Sequence, residues 1–294
     1  MNTPDMRTVT LSPTPGQRPR DDELDLFGLT HVGRVRKTNQ DHFLLCTVHP
    51  QVVVHNTSLP TPDDLPLRGD RLATILLVAD GVGGRAAGAD ASQLAVETIT
   101  RYVASTLRSY HAAGAAAKGG FEEALRTAAV AAHAAVKAEA ATASDHAGMA
   151  TTLTLAFVLW PVVYVVQVGD SRCYKYLDGA LQQITRDQTM AQALVDQGVI
   201  AADKAANTPF SNVLVSAIGG ESAMPEVSRF EIPDRNSVLL LCSDGLTKHV
   251  SDAEIAEQMG AMTSSEQLCR SLLEIALERG GTDNITILAA RAPK

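Results

Sequence analysis

An α+β fold with antiparallel sheets is the class that this sequence predicts. Strand patterns joined by short turns fill residues 26–48 and 151–184, and Ala-rich stretches with apolar residues at helical spacing lie between them. Such blocks of strands and helices are typical of α+β proteins, whereas parallel sheets arise when strands and helices alternate one by one. Several apolar strands also end in Asp, most clearly residues 75–80, which a Gly-rich turn follows. We therefore expect a site at the rim of a sheet.

Composition limits the function classes. The chain has 294 residues, 45% of them hydrophobic, and a net charge of −8 without a run of Lys and Arg, which argues against nucleic acid or an anionic membrane as a partner. Residues 1–24 lack an apolar segment, so they predict a disordered tail rather than a secretory signal. The apolar run 153–166 holds Trp160-Pro161 at its middle and predicts two short strands rather than a membrane span.

The four cysteines lie far apart and form no Cys-x-x-Cys pair. This spacing predicts buried free thiols rather than disulfides or zinc ligands, and it indicates a reducing compartment. We expect a cytoplasmic location.

The first half of the chain predicts two strands, a Pro-rich loop, a central strand and two long helices. In order, these lie at 26–32, 42–48, 49–71, 75–79, 86–110 and 120–142. The helices could cover one face of a sheet. We see no internal repeat and expect one domain.

The second half predicts mostly strands. The turn of a hairpin at 172–184 is Asp178-Gly179, which we interpret as structural. A polar stretch at 187–212 with a short helix from 190 to 196 predicts a surface flap. The other predicted strands are 151–159, 162–168, 213–218, 227–232, 238–242 and 284–290, and the other helices are 252–260 and 264–279.

Carboxylates recur at the strand ends. Asp80, Asp170, Asp244 and Asp283 each adjoin an apolar run, and Asp41 precedes another. Any one of them could be an ordinary turn residue. Together they indicate a cation, because like charges a few ångströms apart do not all stay ionised.

The absence of His and Cys at these strand-end positions favours Mg²⁺ or Mn²⁺ over zinc. Two such ions can deprotonate a bridging water and clamp an in-line displacement at phosphorus. Arg36, five residues before Asp41, could supply a planar fork for phosphate oxygens, although an exposed turn Arg is the alternative.

Other phosphate chemistries fit less well. Residues 81–86 satisfy the dinucleotide pattern G-x-G-x-x-A, but Asp80 would lie beside the pyrophosphate and the next strand comes some 60 residues later. No Cys has an Arg six residues on, which disfavours a cysteine phosphatase. The P-loop and the G-x-S-x-G elbow do not occur.

A series of motifs in a fixed order carries a family resemblance. The motifs are Arg36-x-x-Asn39-Gln40-Asp41, Asp80-Gly-Val-Gly-Gly84, Gly148-Met-Ala-Thr-Thr152, Gly169-Asp-Ser-Arg172, Ser243-Asp-Gly-Leu246 and Asp283-Asn-Ile-Thr286. With them the sequence resembles the metal-dependent protein serine/threonine phosphatases of type 2C, in their bacterial form, over roughly residues 26–290. The resemblance implies two packed antiparallel sheets flanked by helices, in four layers αββα, and one catalytic domain at 25–294 with its flap at 187–212.

The resemblance also implies roles for individual residues. Asp80 would bridge two Mn²⁺ or Mg²⁺ ions, to which Gly81 adds its carbonyl, while Asp244 and Asp283 complete one ion's shell. Asp41 would hold metal-bound water and Arg36 would grip the phosphate, so Arg36, Asp41 and Asp80 are the expected catalytic residues. Asp145 corresponds to a ligand of a third, weaker ion.

Some positions depart from the family pattern. Val82 stands where eukaryotic members carry a His thought to protonate the leaving group, Gln40 replaces a common acidic residue, and Gln188 stands at the start of the flap where Asp-His is usual. Two histidines adjoin the expected site and could act as the missing acid: His42 and His146. No direct metal ligand is lost, so we expect an active enzyme.

By this resemblance the protein hydrolyses phosphoserine and phosphothreonine monoesters of proteins through direct attack of a metal-bridged hydroxide, without a phosphoenzyme. Its expected partners are phosphorylated proteins and a cognate kinase, and we expect a monomer. Two alternatives stay open: a non-catalytic binding module on the same fold, and a phosphatase of small metabolites.

Overall fold

The computed structural model describes residues 18–51, 54, 68–83, 87–113, 118–232 and 235–293, without the side chains of residues 104, 106–119 and 206. Two antiparallel sheets pack face to face, and helices cover their outer faces. The predicted class, two sheets within a four-layer αββα arrangement, is confirmed. Among the helices of these residues, none combines the length and the apolar character that crossing a membrane requires.

The elements follow one another in blocks. The strands are β1 (Asp25–His31), β2 (Asp41–Val48), β3 (Ala73–Val82), β4 (Ala150–Thr151), β5 (Leu153–Leu159), β6 (Val162–Val168), β7 (Arg172–Leu177), β8 (Ala180–Gln183), β9 (Glu226–Glu231), β10 (Val238–Cys242) and β11 (Ile285–Arg291). The helices are α1 (Ala87–Ala113), α2 (Lys118–Ala140), α3 (Met190–Asp196), α4 (Asp244–Thr247), α5 (Asp252–Ala261) and α6 (Ser265–Glu278). Short 3₁₀ turns lie at Asp21–Glu23, Ser144–His146 and Ala202–Asn207.

Each sheet joins strands that are distant in the chain. One has the order β1-β11-β10-β7-β8, and the other has the order β2-β3-β5-β6-β9 with the short β4 paired to β3. The apolar run 153–166 forms the antiparallel pair β5 and β6, as predicted. Asp178 and Gly179 form the turn between β7 and β8 with φ of 50° and 84°, so this Asp-Gly is structural.

Three apolar layers explain why the central strand is a continuous apolar run. Leu77 faces α1 and α2, whereas its neighbours Leu76 and Val78 face the other sheet, because successive strand residues point to opposite sides. In the outer layer, Phe121 of α2 packs edge-on against Phe157 and Tyr164 of the sheet. α5 and α6 cover the other sheet in the same way.

The cysteines are free, as predicted. Cys173, Cys242 and Cys269 are buried and Cys46 is half-buried. Burial raises the pKa of the Cys46 thiol and, more strongly, that of the other three. These thiols pack as small apolar side chains.

The strand predicted at 213–218 is wrong. Leu214 forms a single bridge with Thr189, and Ile218 forms a single bridge with Thr151. The apolar residues anchor this segment to two different neighbours, so no ladder develops. Gly219, at a φ of 82°, then turns the chain away.

The predicted disordered tail of residues 1–24 is wrong for its last part. Residues 1–17 lie outside the described residues, but 18–24 are ordered against the sheets. Arg71 is 5% exposed and donates to the Asp21 carboxylate and the Pro19 carbonyl, both at 2.7 Å. The partner that orders the segment lies far away in sequence, so composition did not reveal it.

Most of the predicted loop 49–71 falls on residues 52–53 and 55–67, outside the described residues. At its base, Gln51 and Arg68 form an antiparallel bridge.

Loss of the buried Arg71 guanidinium should measurably destabilise the fold. Arg71→Met leaves the Pro19 carbonyl without this donor and removes from Asp21 the nearest of its cationic neighbours. Since hydrogen bonds to charged groups contribute about 1.5–3 kcal/mol, we expect a loss of that order in the free energy of unfolding, measured in urea. The control is Arg68→Met. The Arg68 side chain also lies near Asp21, at 3.8 Å, but it is 64% exposed, so its loss should change stability by less than about 0.5 kcal/mol. Equal stabilities of the two variants would show that segment 18–24 is not held by Arg71.

Candidate metal centre

The strand-end carboxylates meet at one end of the packed sheets. Asp41, the first residue of β2, lies directly opposite Asp80 of β3 in the antiparallel register. From the other sheet, Asp244 follows β10, Asp283 precedes β11, and Asp170 lies between β6 and β7. The strand-end pattern therefore marks one place in the fold.

A cavity of about 200 Å³ opens between these strand ends. Its acidic side chains are Asp80, Asp170, Asp244 and Asp283. The other lining residues that the argument uses are Arg36, Gly81, Val82 and Lys248. Asp41 packs against this group, with its side chain within hydrogen-bonding reach of Asp80.

Backbone hydrogen bonds fix the position of Asp80. Its N–H donates to the Thr152 hydroxyl at 3.0 Å. Its carbonyl accepts from the Thr151 hydroxyl and the Thr152 N–H, each at 2.9 Å. The Gly148-Met-Ala-Thr-Thr152 motif thus acts as a clamp on the end of β3.

Gly81 is required by close packing. A Cβ atom at this position would lie 2.2 Å from the Gly88 carbonyl oxygen and 2.6 Å from the Gln40 carbonyl oxygen. Both neighbours are backbone atoms that cannot move aside cheaply. A glycine after Asp80 therefore lets α1 and the residue 40 backbone approach the site.

Asp41 is almost completely buried, with 3% of its surface exposed. Its Oδ2 accepts from the Ser243 hydroxyl at 2.8 Å and the Thr286 hydroxyl at 2.7 Å. Its Oδ1 is buried without a hydrogen-bond partner among the described residues. Burial raises the pKa of Asp41 to about 6, against the lowering effect of the two hydroxyls.

Burial and mutual repulsion raise the pKa of most of the cluster. Asp80 is raised well above its ordinary value by burial first and then by the charges of Asp41 and Asp244. The pKa of Asp170 rises to about 8 for the same reasons, burial and then Asp244. Burial also raises the pKa of Asp244. Without a further cation, these groups do not all ionise at neutral pH.

Two side-chain cations lie at the site. Arg36 forms a forked pair with Asp283, Nε to Oδ1 at 2.7 Å and Nη2 to Oδ2 at 2.8 Å. Lys248 Nζ lies 2.6 Å from Asp244 Oδ2 and 2.8 Å from Asp283 Oδ2. Although burial alone would raise it, the pKa of Asp283 is lowered by these two donors.

The residues present fit a hard divalent cation. Asp41 Oδ1 and Asp244 Oδ1 are buried oxygens that lack a hydrogen-bond partner in the described part of the chain. Buried carboxylate oxygens normally have a partner, which an ion that prefers oxygen ligands, or water bound to such an ion, would supply. Within the described ranges, no three His, Cys, Asp or Glu side chains are already arranged to hold a metal ion.

A second cavity adjoins the first. It has a volume of about 760 Å³ and shares Arg36, Asp170, Asp244, Lys248 and Asp283 with the metal site. Part of its lining belongs to the predicted flap, including Ala202, Ala205, Asn207 and Ser211. The flap therefore borders the approach to the carboxylates.

The structure brings together most of the predicted site. Asp80, Gly81, Asp244, Asp283 and Arg36 line the smaller cavity, with Asp41 packed beside them. The guanidinium fork of Arg36 faces Asp283, whereas the sequence assigned it to phosphate. Its contact with phosphate stays a prediction.

Asp145 is not brought into the site. It is exposed on the 3₁₀ turn Ser144–His146 and lines neither cavity. The third ion that it was expected to hold stays a prediction.

Sequence reasoning left two residues without a role. The sequence places Asp170 among the strand-end carboxylates that indicate a cation, but it gives Asp170 no individual role. Lys248 lies four residues after Asp244, a spacing that places both on one side of a helical turn. That spacing was the available signal.

The departures from the family pattern have distinct surroundings. Val82 lines the cavity and is 41% exposed. Because its side chain is a hydrocarbon, it cannot donate a proton there. Gln188 is buried; its Oε1 accepts from the Gly169 N–H and its Nε2 donates to the Met224 carbonyl, which braces the loop that carries Asp170. His42 contacts the Ser92 hydroxyl, and neither His42 nor His146 lines the two cavities.

Known proteins resemble this chain in sequence and in fold. The chain is 36% identical over 218 residues to the serine/threonine protein phosphatase PstP of Mycobacterium tuberculosis; the match covers 74% of this chain and 40% of PstP, so the chain spans less than half of that relative. It is 34% identical over 215 residues to the serine/threonine phosphatase Stp of Listeria monocytogenes, covering 73% of this chain and 82% of Stp.

A solved structure of the PstP catalytic domain in complex with two manganese ions superposes with a TM-score of 0.69 at 29% identity, covering 91% of this chain and 97% of that one. The model of the protein phosphatase 2C family matches residues 55–279. With the ordered motifs, the two packed sheets and the carboxylates at their strand ends, this match shows that the chain belongs to the protein phosphatase 2C family.

Proposed function

We propose that this chain hydrolyses phosphoserine and phosphothreonine esters of proteins, with two Mn²⁺ or Mg²⁺ ions held around Asp80. The observation that carries the proposal is the pair of buried, unpartnered carboxylate oxygens, Asp41 Oδ1 and Asp244 Oδ1, beside an open cavity. The names of the related phosphatases and the manganese-bound PstP structure support it.

The ligands in this proposal are Asp80, the Gly81 carbonyl, Asp244 and Asp283. Bound divalent ions supply Lewis-acid chemistry and lower the pKa of water near the phosphorus. Asp41 is held through Oδ2 by two hydroxyls, so its free Oδ1 is oriented to accept a hydrogen bond from the attacking water. Arg36 at the cavity wall orients the phosphate through its guanidinium.

The leaving alkoxide needs a proton. Val82 cannot supply one, and the two histidines near the sequence motifs do not line the cavity. We propose that water protonates the leaving group. The open cavity of about 760 Å³ beside the flap has room for the polypeptide that carries the phosphate.

Substrate choice separates the proposal from its rivals. Phosphate release should be measured with phosphoserine and phosphothreonine peptides, with p-nitrophenyl phosphate and with sugar phosphates, each in Mn²⁺ and in EDTA. The proposal expects Mn²⁺-dependent turnover of the peptides that EDTA abolishes reversibly. Faster turnover of sugar phosphates would favour a metabolite phosphatase, and binding of phosphopeptides without any turnover would favour a binding module.

The finer assignments remain part of the proposal. Asp145 would hold a third and weaker ion, although it does not line the cavity. A kinase that phosphorylates the same proteins is the expected counterpart.

Removing ligand charge should abolish activity. Asp80→Asn and Asp244→Asn delete a negative charge but almost no volume, so the fold should persist while Mn²⁺ binding and turnover are lost. The matched control is Asp178→Asn in the β7–β8 turn, whose φ of 50° suits Asn as well as Asp. Near-normal turnover by either site variant in saturating Mn²⁺ would contradict the metal assignment. Circular dichroism checks that all three variants fold.

Arg36 should contribute to phosphate binding. A charge-assisted contact contributes about 1.5–3 kcal/mol, so Arg36→Ala should lose roughly ten- to 150-fold in kcat/KM for a phosphopeptide. Lys37→Ala removes a charge from the next, exposed position of the same loop and should change kcat/KM by less than about threefold. If both variants lose equally, Arg36 acts only through the charge of the loop.

Stability of the metal-free protein should fall as pH rises. The pKa of folded Asp170, about 8, lies above the ordinary value of 3.8. A carboxyl whose folded pKa is raised gives stability that is fully present below its unfolded pKa and is lost as pH rises toward its folded pKa. In EDTA the melting temperature should therefore drop from about pH 6 to about pH 8.

Asp170→Asn is the control for that measurement, because it keeps the shape of the side chain and removes the titration. Its melting temperature should drop less over the same pH interval. A drop as steep as that of the wild type would show that the titration of Asp170 does not cause the loss of stability.

A further inference from the structure

Lys248 occupies an unusual place for a cation. It directly follows the short helix α4, one turn after Asp244, and its side chain is 26% exposed. Its ammonium lies 2.6 Å from Asp244 Oδ2 and 2.8 Å from Asp283 Oδ2. These are two of the carboxylates that the proposed function assigns to one metal ion.

The Lys248 ammonium and a divalent ion would compete for the same carboxylate oxygens. Asp283 already gives both of its oxygens to Arg36, and its Oδ2 also accepts from Lys248. Only Asp244 Oδ1 stays unpartnered in this pair, as judged over the described residues. An ion bound between Asp244 and Asp283 would lie close to a positive charge that solvent screens only in part, because the Lys248 side chain is 26% exposed.

We propose that Lys248 is a tethered cation that neutralises Asp244 and Asp283 in the metal-free protein and that a divalent ion must displace. This inference rests on the proposed function, since it takes those two residues to be metal ligands. Lys248 lowers the affinity of the site for one ion and stabilises the fold without it. The side chain lines both cavities, so the ammonium can turn from the carboxylates toward the larger one.

A supporting role for Lys248 would predict the opposite change in metal affinity. If Lys248 instead supported the carboxylates from outside the coordination shell and held them in a metal-binding orientation, its removal would weaken metal binding. The sign of the change in affinity therefore decides between displacement and support.

The test is calorimetric titration of the metal-stripped protein with Mn²⁺, together with melting temperatures in EDTA. For Lys248→Gln we expect one Mn²⁺ to bind about tenfold or more tightly than in the wild type, because an opposing charge has been removed. The same variant should melt at a lower temperature than the wild type in EDTA, since two carboxylates lose their counter-charge.

Two further variants serve as controls. Lys248→Arg keeps the charge and should not gain affinity for Mn²⁺. Lys137→Gln removes the same charge from an exposed position of α2 and should bind Mn²⁺ like the wild type. Equal or weaker Mn²⁺ binding by Lys248→Gln, relative to the wild type, overturns the inference.

A structural measurement covers the case in which Lys248→Gln does not fold. Crystals of the wild type grown in EDTA should show the ammonium against Asp283, and crystals grown in Mn²⁺ should show it withdrawn. An ammonium that keeps both contacts beside a bound ion overturns the inference while leaving the proposed function intact. Failure of the wild type to bind any Mn²⁺ would overturn both.

Discussion

Repulsion among buried carboxylates is the constraint on which this structure depends. Two sheets pack with their strand ends together, and those ends carry Asp41, Asp80, Asp170, Asp244 and Asp283. Burial removes the water that would separate these charges, so the pKa values of Asp80, Asp170 and Asp244 rise. With all of these carboxylates ionised, the arrangement is favourable only with cations present, and the polypeptide supplies two of its own, Arg36 and Lys248. The remaining negative charge is what a pair of divalent ions would neutralise.

The polar residues of the motifs hold the carboxylates in place. Ser243 and Thr286 fix one oxygen of Asp41, and Thr151 and Thr152 clamp the backbone of Asp80. Ser243 and Thr286 belong to motifs that also contain Asp244 and Asp283, so these two motifs combine a strand-end carboxylate with the support of Asp41. The motif of Thr151 and Thr152 contains no Asp and only supports Asp80.

Much of the fold was predictable because its signals are local. The continuous apolar run before Asp80 follows from a strand buried on both faces, and Asp178-Gly179 carries an ordinary hairpin turn. The features that were missed depend on partners distant in sequence. Segment 18–24 is ordered by Arg71, Leu214 pairs only once with Thr189, and the ammonium of Lys248 also reaches Asp283. The local sequence pattern cannot predict such contacts, because their partners lie far apart in the chain.

The most direct test of the central claim is an anomalous diffraction measurement on crystals soaked in Mn²⁺. The account predicts two manganese peaks in the smaller cavity, with Asp80 between them and with Asp244 and Asp283 bound to one of them. It also predicts that the peaks vanish in crystals of Asp80→Asn. Manganese bound elsewhere, or a cavity without manganese in the wild type, would contradict the claim that these strand ends form a metal centre.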